Sequence, residues 1–126
     1  MELRPASSIP WAPAPSEHFT GSVLFGPMSG GGSVNMLGVH FGPGARTDWH
    51  SHPEGQVLYV VNGVARVGDE DGTTAEVGAG DSVYALPGQV HWHGAAPHSP
   101  MTHLSITTGG ETEWLPRKVT DEEYGR

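Results

Sequence analysis

The chain has 126 residues, enough for one domain and a single modest core. Its 6 basic and 14 acidic residues give a formal net charge of −8 with no basic cluster, which argues against nucleic acid or anionic membrane as a partner. It has no cysteine, so disulfides, thiolate metal sites and a cysteine nucleophile are excluded.

Residues 1–17 are rich in proline, alanine and serine. Proline removes backbone donors, so this stretch forms neither a helix nor a central strand. It reads as a loose tail, or as an arm on a partner subunit with Trp11 as its anchor. Its start, MELRPASSIPWAPAP, lacks the apolar stretch of a signal peptide, and the expected location is the cytoplasm. No run approaches the roughly 20 apolar residues of a membrane span.

Residues 18–126 read as one domain. Phe19–Phe25 is a predicted strand, Gly26–Ser33 a loop and Val34–Phe41 the next strand. The turn Gly42-Pro43-Gly44 leads into Arg46–His52. Pro53-Glu54-Gly55 turns into Gln56–Asn62, whose VLYVV core is apolar and β-prone. Asn62-Gly63 is a two-residue hairpin signal, with Val64–Gly68 returning. Thr74–Val77, Ser82–Leu86, Val90–Gly94 and Met101–Thr107 complete the strands. Only Asp121–Tyr124 has helical character. The acidic runs Asp69–Asp71 and Asp121–Glu123 read as solvated loop and tail. Short apolar runs separated by 19 glycines and 11 prolines predict an all-β sandwich or closed barrel with little helix.

The chemistry lies in the histidines at 18, 40, 50, 52, 91, 93, 98 and 103. Alternate residues of a strand share a face, so His50 and His52 point the same way. Gln56 returns to the same space across the Pro53–Gly55 turn. His91 and His93 again share a face, and His103 shares one with Met101 and Ser105. A barrel folds these faces toward one cavity. Clustered imidazoles with oxygen donors suit Zn, Fe, Mn, Ni or Cu. His18 and His98 read as ordinary hydrogen-bonded or surface residues, and His40, out of step with Leu37, Val39 and Phe41, as a surface one. Glu54 is expected in solvent. Asp48 has the histidines' parity on paper, at the pocket rim or behind an imidazole. Trp49 and Trp92 should point away from the cavity, onto the outer sheet face or a subunit contact.

Gly44-ARTDW-His50-S-His52-PEG-Gln56-VLYVVN-Gly63 resembles the first cupin motif, G-x5-H-x-H-x3,4-E-x6-G. Gly80-DSVYALP-Gly88-QV-His91 resembles the second, G-x5-P-x-G-x2-H. Three positions depart from the pattern. Gln56 replaces the usual glutamate, Leu86 stands at the proline position with Pro87 one place later, and Ala95 replaces an asparagine. The resemblance implies a small jelly-roll β-barrel. The phrases PGARTDWHSHPEGQ, PGQVHWHGAAP, MTHLSI and VTDEEYGR are also similar to bacterial cupin-type, manganese-dependent hydroxynitrile lyases. They are similar as well to cupins associated with carboxymuconolactone decarboxylase-like proteins.

That likeness implies one divalent transition metal per chain, held by His50, His52, Gln56 and His91. Mn2+ comes first, with Fe2+, Zn2+ and Ni2+ as alternatives. His93 and His103 correspond to two further pocket histidines, with His103 as the base and His93 orienting the substrate. Upstream the likeness fades, and Leu37 is a bulky pocket residue. Three imidazoles and a neutral amide leave the metal its full +2 charge, which favours Lewis-acid chemistry toward a hydroxyl or carbonyl oxygen. The implied function is a lyase that cleaves or forms cyanohydrins. The alternatives are an iron-dependent dioxygenase-type cupin and a non-enzymatic binder of a small oxygenated ligand. The expected partners are a small-molecule substrate and a second copy in a homodimer or higher homo-oligomer.

Overall fold

A computed structural model describes all residues 1–126. Twelve strands and one short helix follow in order: β1 (Ala12–Pro13), β2 (Phe19–Thr20), β3 (Val23–Pro27), β4 (Val34–Phe41), β5 (Arg46–Thr47), β6 (His50–Ser51), β7 (Gln56–Asp69), β8 (Thr74–Gly78), β9 (Ser82–Ala85), β10 (His91–Ala95), β11 (Met101–Thr108), β12 (Glu113–Trp114) and α1 (Asp121–Tyr124). Every pairing is antiparallel, and the strands form two sheets that share β7. Sheet A runs β1-β3-β4-β11-β7-β9. Sheet B runs from β8 through β7 to β10, which pairs β5 and β6; β2 then extends β5, and β12 extends β6. The result is a jelly-roll barrel. No helix is long and apolar enough to cross a membrane.

The long strand β7 departs from the sequence expectation. Asn62-Gly63 is not a hairpin turn. It is the point where one strand leaves sheet A for sheet B. Gly63 has φ +77°, and a Cβ there would collide with the Pro100 carbonyl and the Met101 backbone. The dipeptide's tolerance of positive φ therefore serves a bend instead of a reversal. Opposite it, the register of β11 slips between Thr102 and His103.

Two predicted strands are broken in the structure. Phe19–Phe25 divides at Gly21 into β2 in sheet B and β3 in sheet A. Arg46–His52 divides at Asp48-Trp49, because the chain changes neighbours there. Asp48 N–H donates to the His18 carbonyl and Trp49 N–H to the Arg117 carbonyl. Residues 9–14 lie against the barrel. β1 pairs with β3, and the Trp11 ring lies over Gly26 and Gly38, where a Cβ would strike it.

The inner core lies between the sheets and includes Phe19, Val39, Phe41, Val60, Ala95 and Met101. A second cluster sits outside sheet B, where Trp49 and Trp92 pack with Val119 and Tyr124. These tryptophans do point away from the cavity, but the chain's own C-terminal segment covers them. Arg46, 6% exposed, fastens that segment. Its guanidinium donates to the Val119 carbonyl and to Asp121 Oδ1 at 2.8 Å, and lies 4.6 Å from the centre of the Tyr124 ring. Tyr124 Oη donates to the Ala95 carbonyl. Part of the acidic tail is thus structural. Asp121 pairs Arg46, and Glu123 completes a capping box with Thr120 while pairing Arg117.

Gly63 and Gly72 separate two costs of the bend. Both have positive φ, but nothing lies within 4 Å of a Cβ at Gly72. Gly72→Ala should lose about 1 kcal/mol from backbone strain alone, and Gly63→Ala roughly 2 kcal/mol or more once the collision adds to it. Urea denaturation of the two variants measures the difference; equal losses would mean that the close approach at Gly63 does not matter.

Candidate metal centre

Short strands of sheet B bring the histidines together. His50 of β6 and His91 of β10 are direct cross-strand partners, with ring centres 4.4 Å apart. His93 lies two residues further on the same face, 5.1 Å from His50. His52 follows β6, 5.1 Å from His50 and 5.8 Å from His91. Gln56 opens β7 beside them. All five residues are buried. One nitrogen from each of His50, His91 and His93 lies within 4.8 Å of the others, a three-histidine site that could hold a metal ion.

Hydrogen bonds determine which nitrogens are free. His50 Nδ1 and His91 Nδ1 each donate to a carbonyl two residues earlier, on Asp48 and Gln89, at 2.9 Å. Each ring therefore keeps an Nε2 lone pair for a ligand role. His52 Nε2 is buried without a partner. The Gln56 amide nitrogen donates to Ser105 Oγ at 2.7 Å, and its Oε1 lies 2.9 Å from His91 Nε2. With the His91 proton committed to Gln89, that contact sets two acceptors against each other. A cation against both relieves the repulsion, so the donors at this place fit a divalent transition metal.

Behind this group, His93 Nδ1 lies 2.9 Å from His103 Nε2. His93 Nε2 and His103 Nδ1 are buried and unpartnered. The two histidines have different positions. His93 is part of the cavity wall. His103, 1% exposed, lies behind it against Phe41. Burial holds all five imidazoles uncharged. Desolvation is the largest cause for each, and it lowers His52 and His103 to about 4. His50 and His93 are pushed well below the ordinary value of 6.5, assisted by neighbouring imidazoles, and His91 is lowered as well.

The cavity holds about 470 Å³. His50, His52, Gln56 and His93 line its polar part, and Phe19, Phe25, Leu37, Val39 and Trp114 its apolar part. Phe25 and Trp114 each meet Phe19 edge-on, at 5.5 and 5.7 Å. Trp114, Thr112 and Glu111 were invisible in the sequence, because no strand periodicity marks residues 110–114. Trp114 reaches the site because β12 pairs β6, which sets it opposite His50. On its other side Trp114 stacks on His18, with centres 4.3 Å apart and planes 3° apart.

The other candidate residues lie elsewhere. Asp48 departs from its paper parity because the chain bends there. Its carboxylate turns to Lys118 Nζ at 3.1 Å, and only its backbone carbonyl serves His50. Glu54 and His98 are exposed. His40, half-buried on the outside of sheet A, contacts Thr102 Oγ1 at 2.8 Å.

A barrel of two shared sheets with buried histidines at one end defines a recognised class of protein. The model of the cupin domain matches residues 38–107, and the chain belongs to the cupin family. It is 40% identical to the (R)-mandelonitrile lyase of Granulicella tundricola, with 100% of both chains covered. It is 39% identical to a cupin-like protein from Thermotoga maritima, covering 90% of each chain with a TM-score of 0.85. The polyketide cyclase RemF from Streptomyces resistomycificus shares the fold at 16% identity, with a TM-score of 0.74 over 98% of this chain and 90% of that one.

The buried imidazoles set a pH dependence for the metal-free protein. Unfolded histidines take up protons near 6.5, whereas folded His52 and His103 do so only near 4. Between these values the unfolded chain binds more protons, so stability is full above about 6.5 and falls as pH drops toward 4. The urea midpoint of the metal-free protein should fall clearly from pH 7 to pH 5. An unchanged midpoint would show that these rings titrate normally in the folded state.

Proposed function

We propose that this chain is a metal-dependent lyase that cleaves and forms cyanohydrins, with His50, His52, His91 and Gln56 as the metal ligands. The observation that carries this reading is the opposition of Gln56 Oε1 to the His91 Nε2 lone pair, with His52 Nε2 buried and unpartnered beside them. The spacing of the two histidine motifs and the 40% identity to a mandelonitrile lyase over both full lengths support it. When bound, the divalent ion, manganese in this reading, supplies Lewis acidity toward a hydroxyl or carbonyl oxygen. The neutral ligand set leaves the ion its whole charge.

The residues around the ligands perform the proton transfer. With His93 outside the ligand set, its Nε2 faces the cavity as a base. Its Nδ1–H then donates to His103 Nε2, so the pair shares an incoming proton between two rings. Burial keeps both rings neutral at the start. His93 takes the hydroxyl proton, and the O–H electron pair becomes the carbonyl π bond as the bond to the nitrile carbon breaks. Cyanide leaves with that bond's electrons and takes the proton back from the pair, giving an aldehyde and hydrogen cyanide. No oxidant or reductant is required. The apolar wall of Phe19, Phe25 and Trp114 holds the substituent of the aldehyde away from water.

Metal analysis separates this ligand set from the tighter cluster of His50, His91 and His93. His52→Ala and His91→Ala should lose most of the metal, while His93→Ala retains it. Full occupancy in His52→Ala together with loss in His93→Ala would transfer the site to the other set. Activity tests the proton pair. His93→Ala and His103→Ala should keep the metal and lose roughly 10²–10⁴-fold in mandelonitrile cleavage, equally in air and without oxygen. Turnover that requires oxygen would identify an oxidative enzyme instead, and near-normal turnover in both variants would remove the pair from the mechanism.

A further inference from the structure

As a metal ligand, Gln56 meets a difficulty that a carboxylate would not. A glutamate in this place would present two equivalent oxygens to a cation. An amide has one oxygen with lone pairs and one N–H2 group that only donates. It serves as a ligand only when its oxygen faces the metal, so something must determine which end points where.

The neighbours of Gln56 pull its amide in opposite senses. His91 gives its Nδ1 proton to the Gln89 carbonyl at 2.9 Å and therefore turns an Nε2 lone pair to Gln56. That contact alone favours the N–H2 end, which would form a hydrogen bond there where an oxygen meets repulsion. In the structure it is the oxygen, Oε1, that lies 2.9 Å from His91 Nε2. The nitrogen end donates instead to Ser105 Oγ at 2.7 Å. Ser105 of β11 is 9% exposed, and its partners across the strands are Leu37 and Leu58, whose side chains accept nothing. Thr107 stands directly opposite Gln56 in the register, yet the amide turns to Ser105.

A hydroxyl accepts from N–H or donates to an oxygen, so with serine the amide keeps a partner in either orientation. With a methyl group in its place, the ligand orientation buries an N–H without an acceptor, and the reversed one only a carbonyl without its donor. Orphaned buried N–H groups are the rarer of the two in folded proteins, so the loss falls on the ligand orientation. A cation on Oε1 adds to the difference, because it polarises the amide and makes its N–H a stronger donor.

We propose that Ser105 is a positioning residue for the metal centre, and that its hydroxyl holds the Gln56 amide with Oε1 toward the ion. The proposal rests on the reading of Gln56 as a ligand. Ser105 lies outside both histidine motifs, and the proton transfer does not use it.

The manganese affinity of the full chain, measured by competition with a chelator, tests this without turnover. Ser105→Ala should bind roughly 10–100-fold more weakly, the usual loss for a group that orients a ligand, with an unchanged circular dichroism spectrum. Ser105→Thr keeps the hydroxyl and should bind as the wild type does. Gln56→Glu has no end to orient, so adding Ser105→Ala to it should change its affinity little. An unchanged affinity in Ser105→Ala overturns the proposal. So does an equal loss in the Gln56 and Gln56→Glu backgrounds, which would make Ser105 a general support of its strand. Gln56→Ala separates this from the ligand reading, since it should bind at least as weakly as Ser105→Ala. Wild-type affinity in Gln56→Ala removes Gln56 from the ligand set, and the proposal falls with it. Weak binding in Gln56→Ala beside wild-type binding in Ser105→Ala keeps the ligand and strikes only the serine. Should Ser105→Ala fail to fold, Ser105→Cys decides, because a thiol has a similar shape and accepts weakly. Weaker binding there supports the proposal, and wild-type binding overturns it.

Discussion

The site depends on keeping five imidazoles buried, uncharged and close to one another. Burial does most of this. Moving the protonation of His52 and His103 from 6.5 to about 4 makes charging either ring cost on the order of 3 kcal/mol more than in water. Neutral rings have lone pairs to offer, and protonated ones would repel both a metal and each other. Orientation comes from hydrogen bonds that are fixed by the backbone. His50 and His91 each give their Nδ1 proton to the carbonyl two residues earlier, so the bend at Asp48 and the turn at Gln89 set ring direction without another side chain. The cost is a group of buried nitrogens with no protein partner, at His52, His93 and His103. Such atoms are rare in folded proteins and call for a ligand or a role in proton transfer.

The strand β7 makes this arrangement possible. Its first half holds Gln56 in sheet A beside Ser105, and its second half supports β10, which carries His91 and His93 in sheet B. The amide and the imidazoles come from different sheets, so the angle between the sheets determines whether they meet. Gly63 lies at the crossing between them, where only a residue without a side chain lets β7 pass so close to Pro100 and Met101. A change at the bend should therefore be felt where Gln56 meets His91, through geometry as well as through stability.

The outer faces follow a different logic from the cavity. Sheet B carries His50, His91 and His93 on short strands, and the Arg46–Tyr124 contacts hold the C-terminal segment against its back. Sheet A is built from longer strands with continuous pairing, from Val34–Phe41 through Met101–Thr108 to β7, and on its outer side the Trp11 ring lies over Gly26 and Gly38. Its exposed side chains are available for contact with another molecule.

Strand alternation made much of this legible in the sequence. Val34–Phe41, Met101–Thr108 and the helix at Asp121–Tyr124 lie where the local pattern puts them, to within a residue, and strand parity together with the cupin-like motifs pointed to a histidine cluster. Each of these features depends on residues close together in the chain. The remainder is a matter of neighbours. Asn62-Gly63 has the local chemistry of a hairpin, and only the presence of Pro100 and Met101 turns it into a crossing between sheets. Asp48 has the right parity until the chain exchanges His18 for Arg117 as its partner. Trp114 has no local signal and enters the site because β12 pairs β6. His93 and His103 are alike as inward-facing histidines in the sequence, and only their packing puts one on the cavity wall and the other behind it. The sequence by itself determined which side chains of the unbroken strands turn inward, since that follows from a period of two along each of them. The tertiary structure decided which of them touch, since that depends on where separate strands cross.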